Sequence, residues 1–261
     1  MALTIAVLRG ALGATVACLD PDNVDQETAQ KLRDAWYQYL VLFFPEINLS
    51  PGQQVSLAKI FGPRLAATTE AGGDYRGVNS LADDGFPEIL VLDTALGLNP
   101  KVTANWHTDV TFADQPPIGS LFCMEIPAEG GDTLWSSQYA ALERLSEPIR
   151  TMISGLSANH GRPPMTGAAQ HAMVKTHPGT GRQCLFVNRG WTNSVVGLSS
   201  GESAHLLAMI NEIAERPELH IRWRWSAGDA ALWDNRCTMH YAVNDYGDQR
   251  RRARRATIYD G

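Results

Sequence analysis

The hydrophobic pattern along the chain changes period several times, and each change marks an element. Leu3, Ile5 and Val7 alternate with small or polar residues as a strand does, and two short strands are expected to open the chain. Over Asp25–Tyr39 the period becomes helical, with Ala29, Leu32, Ala35 and Trp36 on one stripe. Val41-Leu42-Phe43-Phe44 is a continuous apolar run that Pro45 stops, the signature of a buried strand. Ser50-Pro51 starts a second helix, which ends near Phe61-Gly62-Pro63. Residues 64–87 are rich in Gly, Asp and Thr and are expected to form a long loop.

Beyond Ile89-Leu90-Val91-Leu92, a clear strand, the pattern breaks into short pieces. Helices are expected at about Ser137–Leu145 and Ser200–Ala214. Val174–His177 and Cys184–Val187, joined by Pro178-Gly179-Thr180-Gly181, predict a hairpin. Ile221–Trp225, Ala230–Trp233 and Arg250–Ile258 predict further strands. A few helices beside many short antiparallel strands favour a mainly β fold with helical cover, a jelly roll or sandwich in one domain over 1–261.

Composition narrows the function. A 44% apolar, 19% charged chain of 261 residues can bury a large core, and its net charge of −6 argues against nucleic-acid binding. No run of 18 apolar residues is present, so no membrane partner is expected. Arg9 interrupts the apolar start, which argues against a signal peptide, and the sequon Asn48-Leu49-Ser50 then has no meaning. Cys18, Cys123, Cys184 and Cys237 form no Cys-x-x-Cys pair and are expected to be buried, reduced thiols of a cytoplasmic protein. A homo-oligomer is compatible with the sequence.

The candidate chemistry starts at Trp106-His107-Thr108-Asp109. On a strand, residues two apart share a face, so His107 and Asp109 can aim an imidazole and a carboxylate at one point. With a distant histidine they would complete the two-His, one-carboxylate set that suits Fe(II) and leaves positions open. His240, where a strand meets a turn, is the best third ligand; His160, His171, His177, His205 and His220 read as structural. The run Arg250-Arg251-Arg252-Ala253-Arg254-Arg255 has strand period. Arg251, Ala253, Arg255 and Thr257 would line the interior, and Arg250, Arg252 and Arg254 would stay wet. Two inward guanidiniums suit a dianionic co-substrate and an anionic substrate.

Three motifs in order resemble the taurine dioxygenase (TauD/TfdA) family. They are Asn105-Trp106-His107-Thr108-Asp109-Val110-Thr111-Phe112, then Gly130-Gly131-Asp132-Thr133-Leu134-Trp135, then Trp233-Asp234-Asn235-Arg236 through His240-Tyr241 and Asp245-Tyr246. The resemblance implies a double-stranded β-helix, Fe(II), and 2-oxoglutarate as co-substrate. It also implies use of O2 to hydroxylate or oxidatively cleave a small molecule, with release of succinate and CO2. Position by position it implies His107, Asp109 and His240 as iron ligands, and Thr133 and Arg251 as 2-oxoglutarate contacts. Arg255, the Val110 N–H and the Phe186 ring are implied for the substrate.

Two departures stand out. Leu65-Ala66-Ala67-Thr68-Thr69 lacks the substrate histidine of taurine-oxidising members, and Thr103 stands near a missing asparagine. The stretch between about Leu156 and Val174 is also short, which implies a smaller cover over the pocket and a bulkier substrate than taurine. Two other readings compete. One is a catalytically silent metal- or anion-binding β-barrel of the same fold. The other is a serine hydrolase, in which Gly197-Leu198-Ser199-Ser200-Gly201 would supply the nucleophile and Asp234 and His240 its partners. In the simpler view of that motif, Ser199 caps the next helix with Glu202.

Overall fold

The computed structural model describes residues 2–66, 78–97, 104–161 and 167–261. The major sheet holds β1 (Thr4–Val7), β2 (Ala14–Ala17), β3 (Val41–Phe44), β4 (Arg64–Ala66), β5 (Val78–Leu81), β6 (Phe86–Asp93) and β7 (Gly119–Ile126). Two late strands, β15 (Ala230–Asp234) and β17 (Arg252–Tyr259), complete it among the described residues. Its order is β1-β2-β3-β15-β7-β17-β6-β5, with β4 beside the far end of β17. Segments far apart in the chain thus become neighbours, and β15 lies between β3 and β7.

A smaller sheet packs against this one. It has the order β14 (His220–Trp223), β8 (Thr133–Ser137), β16 (Thr238–Ala242), and His107 adds an antiparallel bridge to His240. A third sheet, β10 (Ala169–Ala172), β9 (Ser157–His160), β13 (Thr192–Val195), and the hairpin β11 (Val174–Thr176)–β12 (Gln183–Leu185) stand beside it. Two facing, mainly antiparallel sheets with helical cover make the jelly roll that was expected, β2 and β3 being paired in parallel.

Strand alternation divides the core into two layers. Val41 and Phe43 of β3, Phe122 and Met124 of β7, and Trp233 of β15 face inward, against Trp135 and Trp225. Leu42, Phe44, Leu121 and Leu232 face outward, under α1 (Gln26–Tyr39) and α2 (Pro51–Lys59), whose Leu32, Trp36 and Leu57 cover them. Strands buried on both faces have no polar alternation to show, which is why Val41–Phe44 is a continuous apolar run. Across the molecule, α3 (Gln138–Arg144), α4 (Glu147–Ser154) and α5 (Ser200–Ala214) cover the smaller sheet through Leu142, Ile153, Leu207 and Ile210.

Local signals place the helix starts. Asp25 caps α1 by accepting from the Thr28 N–H, and Ser50 and Gln53 form a reciprocal capping box at α2 with Pro51 in the first turn. Ser199 and Glu202 do the same at α5, and Ser199 Oγ contacts Glu202 rather than any histidine. That removes the hydrolase reading, since Asp234 and His240 are engaged elsewhere.

Three expectations need correction. Residues 64–87 are not one loop: β4 and β5 form in it, and β6 starts at Phe86, because pairing to β17 and β6 supplies order that the local composition does not. The second face of the Arg250–Ile258 segment is only partly wet: Arg250 is half exposed, but Arg254 is not. Arg254 is buried on the Leu49 carbonyl and on Glu125 (Nε–Oε1 2.8 Å), beneath the helical layer. Finally, Cys123, Cys184 and Cys237 are buried free thiols, but Cys18 is exposed.

Candidate active site

The two predicted histidines meet through the backbone. His107 and His240 exchange both ladder bonds, N–H to O at 2.9 and 2.7 Å, and directly opposed residues of an antiparallel pair share a face. Their rings lie 4.2 Å apart between centroids. Asp109 reaches the same point by a different route from the one expected. It is not on a strand; the chain turns after the bridge, and Val110 adopts φ +57°. A β-branched residue in that region is strained by roughly 1–3 kcal/mol, so its surroundings must hold it there. Asn235 provides part of that hold: its side chain accepts from the Asp109 N–H at 2.9 Å and donates to the Asp109 and Pro117 carbonyls at 3.0 and 2.9 Å.

The three groups converge, one ligand atom from each lying within 4.8 Å of the others. His107 Nε2 and His240 Nε2 are 3.8 and 3.9 Å from Asp109 Oδ1. His107 Nδ1 lies 2.9 Å from the Asn105 carbonyl, which requires the proton on Nδ1 and leaves the Nε2 lone pair facing the cluster. Burial, then the His107 charge, holds His240 down to about pKa 3, and burial lowers His107 as well. Both imidazoles are therefore neutral donors at neutral pH. Burial would raise the Asp109 carboxyl, but the Arg255 guanidinium, with Nη1 at 3.3 Å, and the two histidines outweigh it, so the net shift is downward. Asp109 Oδ2 is buried without a hydrogen-bond partner among the described residues. Two neutral imidazoles and an orphaned carboxylate oxygen in a buried pocket fit a divalent cation better than they fit one another.

The other predicted residues occupy the walls. Thr133, at the start of β8, is buried and its Oγ1 accepts from Trp225 Nε1 at 3.0 Å, which leaves its own O–H available to donate. Arg251 enters from just before β17, its guanidinium 5.5 Å from the Phe122 centroid, and Phe122 packs on Trp225. Thr133 and Arg251 thus border one aromatic wall. Arg251 makes no salt bridge among the described residues, and burial lowers its pKa. Val110 packs with Phe112 and Trp191, and the Trp191 ring stands edge-on to His107. Phe186 sits farther out, against His171 and under the Lys175 ammonium at 3.6 Å. Of the two departures noted in the sequence, Leu65 and Ala66 lie in β4. Residues 67–69 and 103 lie outside the described residues, as do 162–166 of the shortened cover.

In a second cluster of donor atoms, His177, Asp234 and Cys237, the histidine and the carboxylate are committed to one another and to their neighbours. His177 Nδ1 accepts from the Gly179 and Thr180 N–H groups, its Nε2–H donates to Asp234 at 2.9 Å, and Arg236 takes the same carboxylate in a fork. Both imidazole nitrogens and both carboxylate oxygens are thus already engaged.

Sequence reasoning missed Asn235, the clamp on Asp109, as well as Gly190. A Cβ on Gly190 would come 2.7 Å from that of His107, so His107 requires a glycine behind it. His160, His171 and His177 were expected to be structural, and all three are buried and hydrogen-bonded.

A jelly roll that brings two imidazoles and a carboxylate together in its mouth has the donor set of the mononuclear metal oxygenases. Comparison with known proteins gives the family. Residues 4–257 match the model of the taurine catabolism dioxygenase TauD, TfdA family. An alkylsulfatase of Acinetobacter baylyi is 33% identical over 282 residues, covering 98% of this chain and 84% of its own. An alpha-ketoglutarate-dependent sulfate ester dioxygenase of Pseudomonas putida is 33% identical over 283 residues, covering 98% and 89%. The crystal structure of a taurine dioxygenase from Burkholderia xenovorans superimposes with a TM-score of 0.86 at 35% identity, over 99% of this chain and 90% of that one. The chain belongs to the TauD/TfdA family, and it is a 2-oxoglutarate-dependent dioxygenase. No helix among the described residues is long and apolar enough to cross a membrane.

Proposed function

We propose that the chain holds Fe(II) through His107, Asp109 and His240, and binds 2-oxoglutarate through Arg251 and Thr133. Its substrate is a small organic anion, an alkyl sulfate ester in first place, seated by Arg255, the Val110 N–H and the Phe186 ring. The observation that carries this reading is the buried convergence of the three donor groups, with Arg255 beside their carboxylate and Arg251 on the neighbouring wall. Bound there, Fe(II) supplies the O2 activation that couples decarboxylation of 2-oxoglutarate to C–H hydroxylation.

The protein's own contribution is placement and charge. The Arg251 guanidinium and the Thr133 O–H offer a fork and a donor to the distal carboxylate of 2-oxoglutarate. The aromatic wall of Phe122, Trp225 and Trp233 keeps water from the reacting atoms. Arg255 offers a second guanidinium to the substrate's anionic group. The sulfate ester follows from this second cation together with the names of two relatives that are 33% identical to this chain over 98% of its length. Hydroxylation at the carbon bearing the ester oxygen gives a 1-hydroxyalkyl sulfate. Its C–O bond then breaks to leave an aldehyde and hydrogen sulfate, while 2-oxoglutarate and O2 become succinate and CO2.

An anaerobic screen of the Fe(II)·2-oxoglutarate protein tests the substrate, read as the shift of its visible charge-transfer band. Alkyl sulfates are expected to shift the band and, in air, to release sulfate and succinate in equal amounts. Stimulation by an aryloxyalkanoate but by no sulfate would overturn the substrate assignment and leave the reaction class. His107→Ala is expected to abolish succinate formation, and retained activity would refute the ligand set.

A further inference from the structure

The turn after Asp109 is held from two sides, and only one hold belongs to the site as described so far. Asn235 grips the Asp109 end. At the other end a single imidazole nitrogen, His171 Nε2, lies 2.9 Å from the Thr111 carbonyl and 3.1 Å from that of Ala113. Two acceptors require a donor between them, so Nε2 carries the proton and shares it as a three-centre bond. His171 Nδ1 is then an acceptor, and Lys175 Nζ donates to it at 3.2 Å. With the opposite tautomer, both carbonyls would face a lone pair. The lysine therefore sets the tautomer that the turn needs.

Lys175 is itself unusual. It is half-buried, makes no salt bridge among the described residues, and rests its ammonium on the Phe186 ring. Burial brings its pKa to about 8 and, with the lysine's charge, keeps His171 low. A lysine kept in such surroundings by an imidazole and an aromatic face is bound through those two contacts. His171 also lies on β10, paired with β9, whose His160 Nδ1 is 2.9 Å from Thr111 Oγ1. The cover sheet and the turn are thus bonded to each other at three atoms of residues 111 and 113.

We infer that His171, with Lys175 behind it, is a positioning pair that keeps Val110 in its left-handed conformation and so fixes the Asp109 carboxylate for the metal. This rests on the ligand set proposed above. Released at Thr111 and Ala113, Val110 would relax to an ordinary φ and turn the adjoining carboxylate away from the two histidines.

Titration of the metal-free protein with Co(II) alone, followed by its visible absorption, tests this without turnover. His171→Leu is expected to weaken Co(II) binding about tenfold, the scale of an outer-shell loss. His171→Gln, which restores an N–H at the ε position, is expected to recover affinity to within about twofold of wild type, with unchanged melting temperature. Lys175→Met is expected to weaken binding measurably, and Lys175→Arg to match wild type. Wild-type affinity in His171→Leu, or equal weakness in the Leu and Gln variants, would overturn the inference. Should His171→Leu not fold, the lysine variants decide: equal affinity in Met and Arg overturns it, and loss in Met alone supports it. Wild-type protein that binds Co(II) no better than His107→Ala would remove the metal-centre reading and this inference with it. An intact wild-type site beside an unaffected His171→Leu would remove the inference alone.

Discussion

Asp109 is surrounded by groups that each cost stability in isolation: a strained neighbour at Val110, two neutral buried histidines, and a guanidinium at 3.3 Å. In the proposed site their common function is to present one carboxylate oxygen to a cation. Arg251 is the proposed counterpart for an anion, half-buried beside an aromatic wall without a salt bridge among the described residues. Arg251→Ala is expected to raise the apparent 2-oxoglutarate requirement about tenfold or more, as for loss of a charged hydrogen bond, and to leave that for substrate within about twofold. Succinate formation at varied 2-oxoglutarate and varied substrate checks this, and equal effects would undo the role. The cysteines give a second prediction at this scale. Burial pushes Cys123 and Cys184 up to about pKa 12 and Cys237 well above its ordinary value, whereas Cys18 is exposed. A thiol reagent at neutral pH is therefore expected to modify Cys18 rapidly and the other three only on unfolding.

At the scale of elements, the motifs turn out to be couplings between strands. In Gly130-Gly131-Asp132-Thr133, both glycines have positive φ, and the Gly131 N–H donates to Asp245 Oδ1 at 2.7 Å. A Cβ on Gly131 would come 2.9 Å from Tyr246 and 3.2 Å from Arg251 Nε. Gly131→Ala is thus expected to displace the Arg251 guanidinium and raise the 2-oxoglutarate requirement while the protein stays folded, with circular dichroism as the control for folding. Trp233-Asp234-Asn235-Arg236 works in the same way. Trp233 packs on His240, Asp234 joins His177 to Arg236, Asn235 holds Asp109, and Arg236 stacks over Trp36 of α1. Four consecutive residues therefore tie β15 to the site, to the β11–β12 hairpin and to the helical layer.

At the scale of the whole molecule, Asp234 is the charge on which several layers converge. Burial would raise its carboxyl, but Arg236 and His177 reverse that and hold it below the ordinary carboxylate value. A depressed folded-state pKa contributes stability that is present above the unfolded value, about 3.9, and is lost as pH falls through the folded one. Asp234→Asn keeps the shape and leaves the Arg236 charge uncompensated, which is expected to cost about 3–5 kcal/mol at neutral pH. Urea unfolding checks the magnitude. The deficit should shrink as pH falls through the acid limb, and a constant deficit would show that charge is not the cause.

Much of this molecule was written in local pattern. The helix starts at Asp25, Ser50 and Ser199 depend on side chains one turn away, and the apolar runs depend only on strand period, so both were legible. The facing of Arg251 and Arg255 also followed from period, whereas His107 and Asp109, expected to share a strand face, are brought together by a turn instead. Tertiary structure alone decided that the aspartate arrives on a strained turn, that Asn235 holds it, that Arg254 is buried, and that residues 64–66 and 78–81 pair as strands. Each of those depends on a partner far along the chain: Asn235 lies 126 residues from Asp109, and the Leu49 carbonyl lies 205 residues from Arg254. A sequence displays the period of its own backbone, but the partner that satisfies a buried polar group is chosen only when the sheets close.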